Sequence, residues 1–66
     1  MNITVNEKKY ETTEGASLSS LLEDLSLKPS GVAMAINDEV IPRELWASTL
    51  LSDGMNILVI RAASGG

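Results

Sequence analysis

The stretch MNILVI, residues 55–60, decides how the rest of this chain folds. In an extended segment side chains alternate between two faces. Ile57 and Val59 therefore share one face, and Leu58 and Ile60 share the other. A strand that is apolar on both faces belongs in the middle of a sheet, not at its edge. The turn signal Ser52-Asp53-Gly54 stands immediately before it, the strongest in the chain. A last strand at the centre of a sheet needs earlier strands on either side. The first strand is its natural neighbour.

The earlier strands are legible by the same alternation. Ile3 and Val5 fall on one face of NITV, residues 2–5. Asn6 and Glu7 supply turn chemistry, and Lys8 begins a return through KYETT, with Tyr10 and Thr12 as strand residues. Lys8 and Lys9 form either a small binding patch or the wet side of an edge strand, where lysine discourages pairing between molecules. VAMAIN, residues 32–37, reads as a strand covered on much of both faces. Val40-Ile41 is a short extended piece, kept extended by Pro42.

Between these strands lies ASLSSLLEDLSL, residues 16–27. Leu18, Leu21, Leu22 and Leu25 recur at helical spacing and make one apolar stripe. Ser17 is placed to cap the free amides of the first turn. Lys28-Pro29 and Ser30-Gly31 close the segment. Pro42 opens a second, shorter helical turn over RELWAST, with Leu45, Trp46 and Leu50 as its expected apolar side. The whole reads as an α+β fold: a mixed four- to five-stranded sheet packed against one main helix, with a short second helical turn.

The bulk properties exclude more than they assign. A chain of 66 residues makes one small domain, and about 60% of its unfolded surface is the most it buries. That leaves little room for a deep enclosed pocket. There is no cysteine and no histidine, which removes thiolate metal sites, disulfides and a Ser-His-Asp arrangement. No calcium-loop pattern occurs. Nine acidic residues against five basic ones give a net charge of -4. Nucleic acid and anionic membranes are therefore disfavoured as partners. The opening MNITVNEKK carries no secretion signal, and no apolar run approaches membrane-spanning length, so the expected location is the cytoplasm.

The chain closes with RAASGG, residues 61–66. The division expected is a folded domain over 1–60 and a flexible tail over 61–66, since nothing in the tail is large enough to anchor it. Glycine has no Cβ, so Gly65 and Gly66 fit a slot too narrow for other residues. The tail thus delivers the carboxylate of Gly66 away from the domain. A carboxylate resists nucleophiles until it is converted to a mixed anhydride. ATP with magnesium is the obvious reagent, yet nothing here forms a phosphate cradle.

MNITVN, SLSSLLEDL, AINDEVIPRELWASTLLSDG and NILVIRAASGG together resemble the ubiquitin-like β-grasp sulfur carriers, most closely those of thiamine biosynthesis. The likeness spans nearly the whole chain. It implies a carrier that is not an enzyme, acting as co-substrate of partner enzymes. A ThiF-like adenylyltransferase, which would bind the ATP and magnesium, would join AMP to Gly66. A desulfurase or persulfide protein would supply sulfur, and the resulting thiocarboxylate would donate it at thiazole synthase. Gly65, Ser64, Ala63, Ala62 and Arg61 would line the threaded tail. Ser64 lacks a base and reads as a polar spacer. Arg61 either pairs with a partner or keeps the strand end in water. Leu58 and Ile60 belong either to a docking patch or to the core and the opposite sheet face. Met55 departs from the related carriers, which often have an acidic residue after the Asp-Gly turn, and can instead enlarge an apolar docking surface. Arg43 and Trp46 are assigned to local structure. Carriers serving molybdopterin or other sulfur metabolites, a protein modifier joined to lysine, and a binding module with an idle tail are the rival readings.

Overall fold

The computed structural model describes residues 1–61. β1 (Asn2–Val5) and β2 (Lys8–Glu11) form an antiparallel hairpin, with Ile3 opposite Tyr10 and Val5 opposite Lys8. Asn6 and Glu7 both adopt positive φ, 52° and 68°. Such a pair of left-handed residues matches the twist of the two strands it joins. Asn37 and Asp38 repeat the device, with φ of 48° and 72°, between β3 (Val32–Ile36) and β4 (Glu39–Ile41).

α1 (Leu18–Asp24) is shorter than the leucine spacing predicts. Its start is as expected. The Ser17 hydroxyl accepts from the Ser20 amide at 3.2 Å, and the Ser20 hydroxyl accepts from the Ser17 amide at 2.9 Å. The free amides of Leu18 and Ser19 are met by the carbonyls of Thr49 and Trp46, at 3.1 and 3.3 Å. The first turn is thereby tied to the segment that precedes the last strand. The early stop has a local cause. Ser26 sits at φ 59°, its amide donates to the Glu23 carbonyl, and the Leu27 amide donates to the Leu22 carbonyl. This is the double bond pattern that ends many helices, with serine where glycine is usual. Leu25 becomes the half-buried cap residue and not a fourth core leucine.

β5 (Asn56–Arg61) lies at the centre of a five-stranded sheet in the order β2-β1-β5-β3-β4. It runs parallel to β1, with Val5 beside Ile57, and antiparallel to β3, with Ile36 beside Ile57 and Val32 beside Arg61. The Asp53-Gly54 turn does not join two strands of a hairpin. It clasps the foot of β1: the Asn2 amide donates to the Asp53 carboxylate at 2.7 Å, and the Gly54 amide donates to the Asn2 carbonyl at 2.7 Å.

The core lies between α1 and one face of the sheet. It comprises Ile3, Leu18, Leu21, Leu22, Met34, Trp46, Leu51, Ile57 and Val59. The second helical turn is a single 3-10 turn over Arg43–Leu45. Of its three expected apolar residues only Trp46 is buried, with its indole N–H donating to the Ile41 carbonyl at 2.9 Å. Leu45 and Leu50 are exposed, and Leu51 goes inside in their place. The reason is an extended bridge between Ser17 and Leu50, with the Leu51 amide on the Ala16 carbonyl at 2.8 Å. Extended backbone turns alternate residues outward, so pairing at Leu50 sends Leu51 into the core. Among the described residues, no helix is long and apolar enough to cross a membrane.

A non-glycine residue in the left-handed region carries strain of about 1–2 kcal/mol. Ser26→Gly relieves it at the helix end. After the added chain entropy of glycine, stability should rise by up to about 1 kcal/mol. Chemical unfolding followed through Trp46 fluorescence measures this, and a lowered midpoint would contradict the assignment of the helix stop.

Candidate functional site

The end of β5 is held by different partners on its two sides. β1 turns away at Asn6, one residue past its pairing with Ile57. The Asn6 amide still donates to the Ile57 carbonyl at 2.9 Å. Beyond that point the Asn6 side chain takes over from the backbone. Its Oδ1 accepts from the Val59 amide at 2.7 Å, and its Nδ2 donates to the Val59 carbonyl at 3.2 Å. One carboxamide thus stands in for a residue of the missing strand. β3 holds the opposite side of β5 as far as the Val32–Arg61 pair. Sequence reading saw Asn6 only as a turn residue. An asparagine in the left-handed position beside a central strand was the available signal, but its partner lies 53 residues away.

Arg61, expected to open the tail, is the last residue of β5 and is exposed. Ala62, Ala63, Ser64, Gly65 and Gly66, together with the expected mobility of the tail, lie outside the described residues.

The face of β5 away from the helix carries Leu58 and Ile60, 43% and 48% exposed. Antiparallel partners share a face. The register therefore sets Val40, Ala35 and Leu58 in one row and Ala33 with Ile60 in the next. Val40 is 64% exposed, while Ala35, between two larger neighbours, is closed off. The result is an apolar strip with a floor of alanine. It is bounded on the β1 side by polar groups, where the Thr4 hydroxyl donates to the Asn56 carboxamide oxygen. Leu58 and Ile60 thus lie on the outer sheet face and not in the core. Val40 was not singled out from the sequence, because its isolated position in a short segment gives no periodicity to read.

Met55 does not join this strip. It alternates with Ile57 and Val59, is half-buried, and packs against the core on the helix side. Arg43 is exposed and its guanidinium makes one local bond, donating to the Pro29 carbonyl at 3.4 Å. Among the described residues, no cluster of histidine, cysteine, aspartate or glutamate is arranged to hold a metal.

These features define a β-grasp domain in which the last strand is central. The comparisons place that architecture. The ThiS family model matches residues 2–66. The sulfur carrier protein ThiS of Escherichia coli strain K12 is 36% identical over 66 residues, covering both chains in full. The ycf40 protein of Pyropia yezoensis is 32% identical over 66 residues, 93% of its length. The crystal structure of the thiamine biosynthesis protein ThiS from Geobacter metallireducens superposes with a TM-score of 0.78 at 33% identity, over the full length of both chains. The chain belongs to the ThiS family of sulfur carriers. It is a carrier and not a catalyst, as the family assignment requires.

Asn6→Gly keeps the turn, because glycine accepts the φ of 52°, and removes only the carboxamide. The Val59 amide should then lose its protection from hydrogen exchange, and stability should fall by about 1–2 kcal/mol. Unchanged exchange at Val59 would show that the side chain does not hold the strand.

Proposed function

We propose that this carrier serves formation of the thiamine thiazole ring, with the carboxylate of Gly66 as its reactive group. The observation that carries the reading is the central, last-in-sequence strand that ends at Arg61, with three residues between it and a final Gly65-Gly66. The full-length likeness to the sulfur carrier protein ThiS of Escherichia coli and to the thiamine biosynthesis protein of Geobacter metallireducens supports the choice of pathway.

The chemistry follows from what the chain has and lacks. The domain has no histidine or cysteine to act on its own terminus, so activation belongs to a partner. A ThiF-like adenylyltransferase binds ATP and magnesium. An oxygen of the Gly66 carboxylate attacks the α-phosphorus, pyrophosphate leaves, and an acyl adenylate results. The terminal sulfur of a persulfide on a desulfurase or persulfide protein displaces AMP to give an acyl disulfide. A second thiol of the partner proteins cleaves its S–S bond, releasing the thiocarboxylate and leaving a disulfide on the partner side. Thiazole synthase takes the sulfur, and Gly66 returns as an ordinary carboxylate. Ala62, Ala63, Ser64 and Gly65 thread the tail into each partner's channel, with Arg61 at its root. A tail of small side chains passes where larger ones would clash. Leu58 and Ile60, extended by Val40, dock the domain outside. Met55, turned toward the core, belongs to stability and not to this contact.

Incubation with ATP, magnesium, the adenylyltransferase and a sulfur source should raise the intact mass by the difference between one sulfur and one oxygen atom. Removal of Gly66 should abolish the shift. An unchanged mass under conditions that charge the Escherichia coli carrier would sink the sulfur reading, and conjugates to lysine in its place would establish a protein modifier.

Leu58→Asp and Ile60→Asp each place a charge on the exposed strip. Either should weaken the complex with the adenylyltransferase by about tenfold or more, corresponding to roughly 1.4 kcal/mol, with little change in the unfolding midpoint. Titration calorimetry and chemical unfolding separate the two effects. Undiminished affinity in both variants would remove this face from the docking surface.

A further inference from the structure

The charges of this chain are not spread evenly. Acidic residues outnumber basic ones nine to five, yet the place where β5 leaves the sheet is basic. A groove of about 450 Å³ there is lined by Ser26, Leu27, Lys28, Ser30, Gly31, Val32 and Arg61. Among the described residues, no carboxylate lines it. Arg61 reaches it because it pairs with Val32 at the end of the β3–β5 ladder. Arg43 stands against the same loop, through its bond to the Pro29 carbonyl. Three of the five basic residues thus gather at the root of the tail.

The other end of β5 has the opposite character. A hollow of about 220 Å³ is lined by Asn6, Glu7, Asp38, Asn56, Ile57 and Leu58. It holds two carboxylates and no cation. The remaining basic residues, Lys8 and Lys9, stand on the edge strand β2, separated from β5 by β1. Along β5 the domain therefore runs from acidic to basic in the direction in which the chain leaves.

We propose that Lys28, Arg43 and Arg61 form an electrostatic docking surface for an acidic protein rim around the channel that receives the tail in the activating enzyme. The inference rests on the carrier function proposed above and adds the chemistry of the contact. A chain with net negative charge would approach an acidic rim poorly in most orientations. The basic groove makes the tail-first orientation the attractive one. Exposed charges of this kind act mainly on the rate of encounter and are screened by salt. Ser26 and Ser30 supply hydroxyls that donate to carboxylates once the groove is engaged. The contact is separate from the apolar strip of Leu58 and Ile60, which fixes the docked pose.

The test compares two double charge reversals that alter net charge equally. Lys28→Glu with Arg61→Glu reverses the groove, and Lys8→Glu with Lys9→Glu reverses the distant edge strand. All four side chains are exposed, and unfolding midpoints verify that each variant folds. The association rate with the ThiF-like adenylyltransferase is measured by stopped flow across a series of salt concentrations, alongside pyrophosphate release. The groove variant should associate about tenfold more slowly than the wild type at low salt, with the gap closing as salt rises. Arg43→Glu alone should show a smaller loss in the same direction. Equal slowing by both double variants would reduce the effect to net charge and overturn the surface. So would an unaltered rate in the groove variant, or no association of the wild type. Association that is salt-dependent and groove-dependent but yields no pyrophosphate would leave the surface standing and reject activation at Gly66.

Discussion

The fold depends on the insertion of β5 between two strands that precede it in the chain. Its parallel pairing with β1 joins residues about fifty positions apart, as Asn2 on Asp53 and Asn6 on Val59 show. Its antiparallel pairing with β3 supplies the longest ladder in the sheet. Neither pairing can form until β5, the last strand in the sequence, is present. Their closure entropy must be offset by burial of Ile57 and Val59 against α1. The inserted strand outruns β1 and continues to Arg61. Asn6 resolves the resulting gap, lending the ladder a carboxamide where a backbone residue is missing.

A domain this small has two faces of sheet and apolar residues enough to cover one. α1 covers the inner face with Leu18, Leu21 and Leu22, and Trp46 and Leu51 close its margin. The outer face keeps Leu58, Ile60 and Val40 in water, which costs solubility unless something covers them. The residues that hold the core and those exposed on the outer face are therefore different side chains, with little competition between the two surfaces.

Much of this was legible in the sequence because local rules act within a few residues. The apolar alternation of residues 57–60 marked the central strand, and the leucines at 18, 21 and 22 marked the helix face. Ser17 was readable as a cap, and Lys8 and Lys9 as an edge. The errors have physical causes. The leucine stripe promised a longer helix, but Ser26 entered the left-handed region and two backbone bonds closed the end. Leu50 was taken for the core in place of Leu51, because the Ser17–Leu50 bridge that sets the alternation joins distant segments. Met55 was placed on the docking side, although its parity with Ile57 turns it inward. The tail residues were assigned by chemistry and by resemblance, since a terminal Gly-Gly carries no packing signal.

The sequence by itself determined the kinds of element, their order, the inner faces and the absence of catalytic side chains, because spacing and side-chain chemistry are properties of neighbours along the chain. Tertiary structure alone decided that Asn6 completes β5, that Val40 joins Leu58 and Ile60 in one strip, and that Lys28 and Arg61 line one groove beside the loop that Arg43 bonds. Each of these depends on strand register and on contacts between residues far apart in the chain. Register arises only when the sheet closes, and then every side chain on a strand is committed to one face or the other.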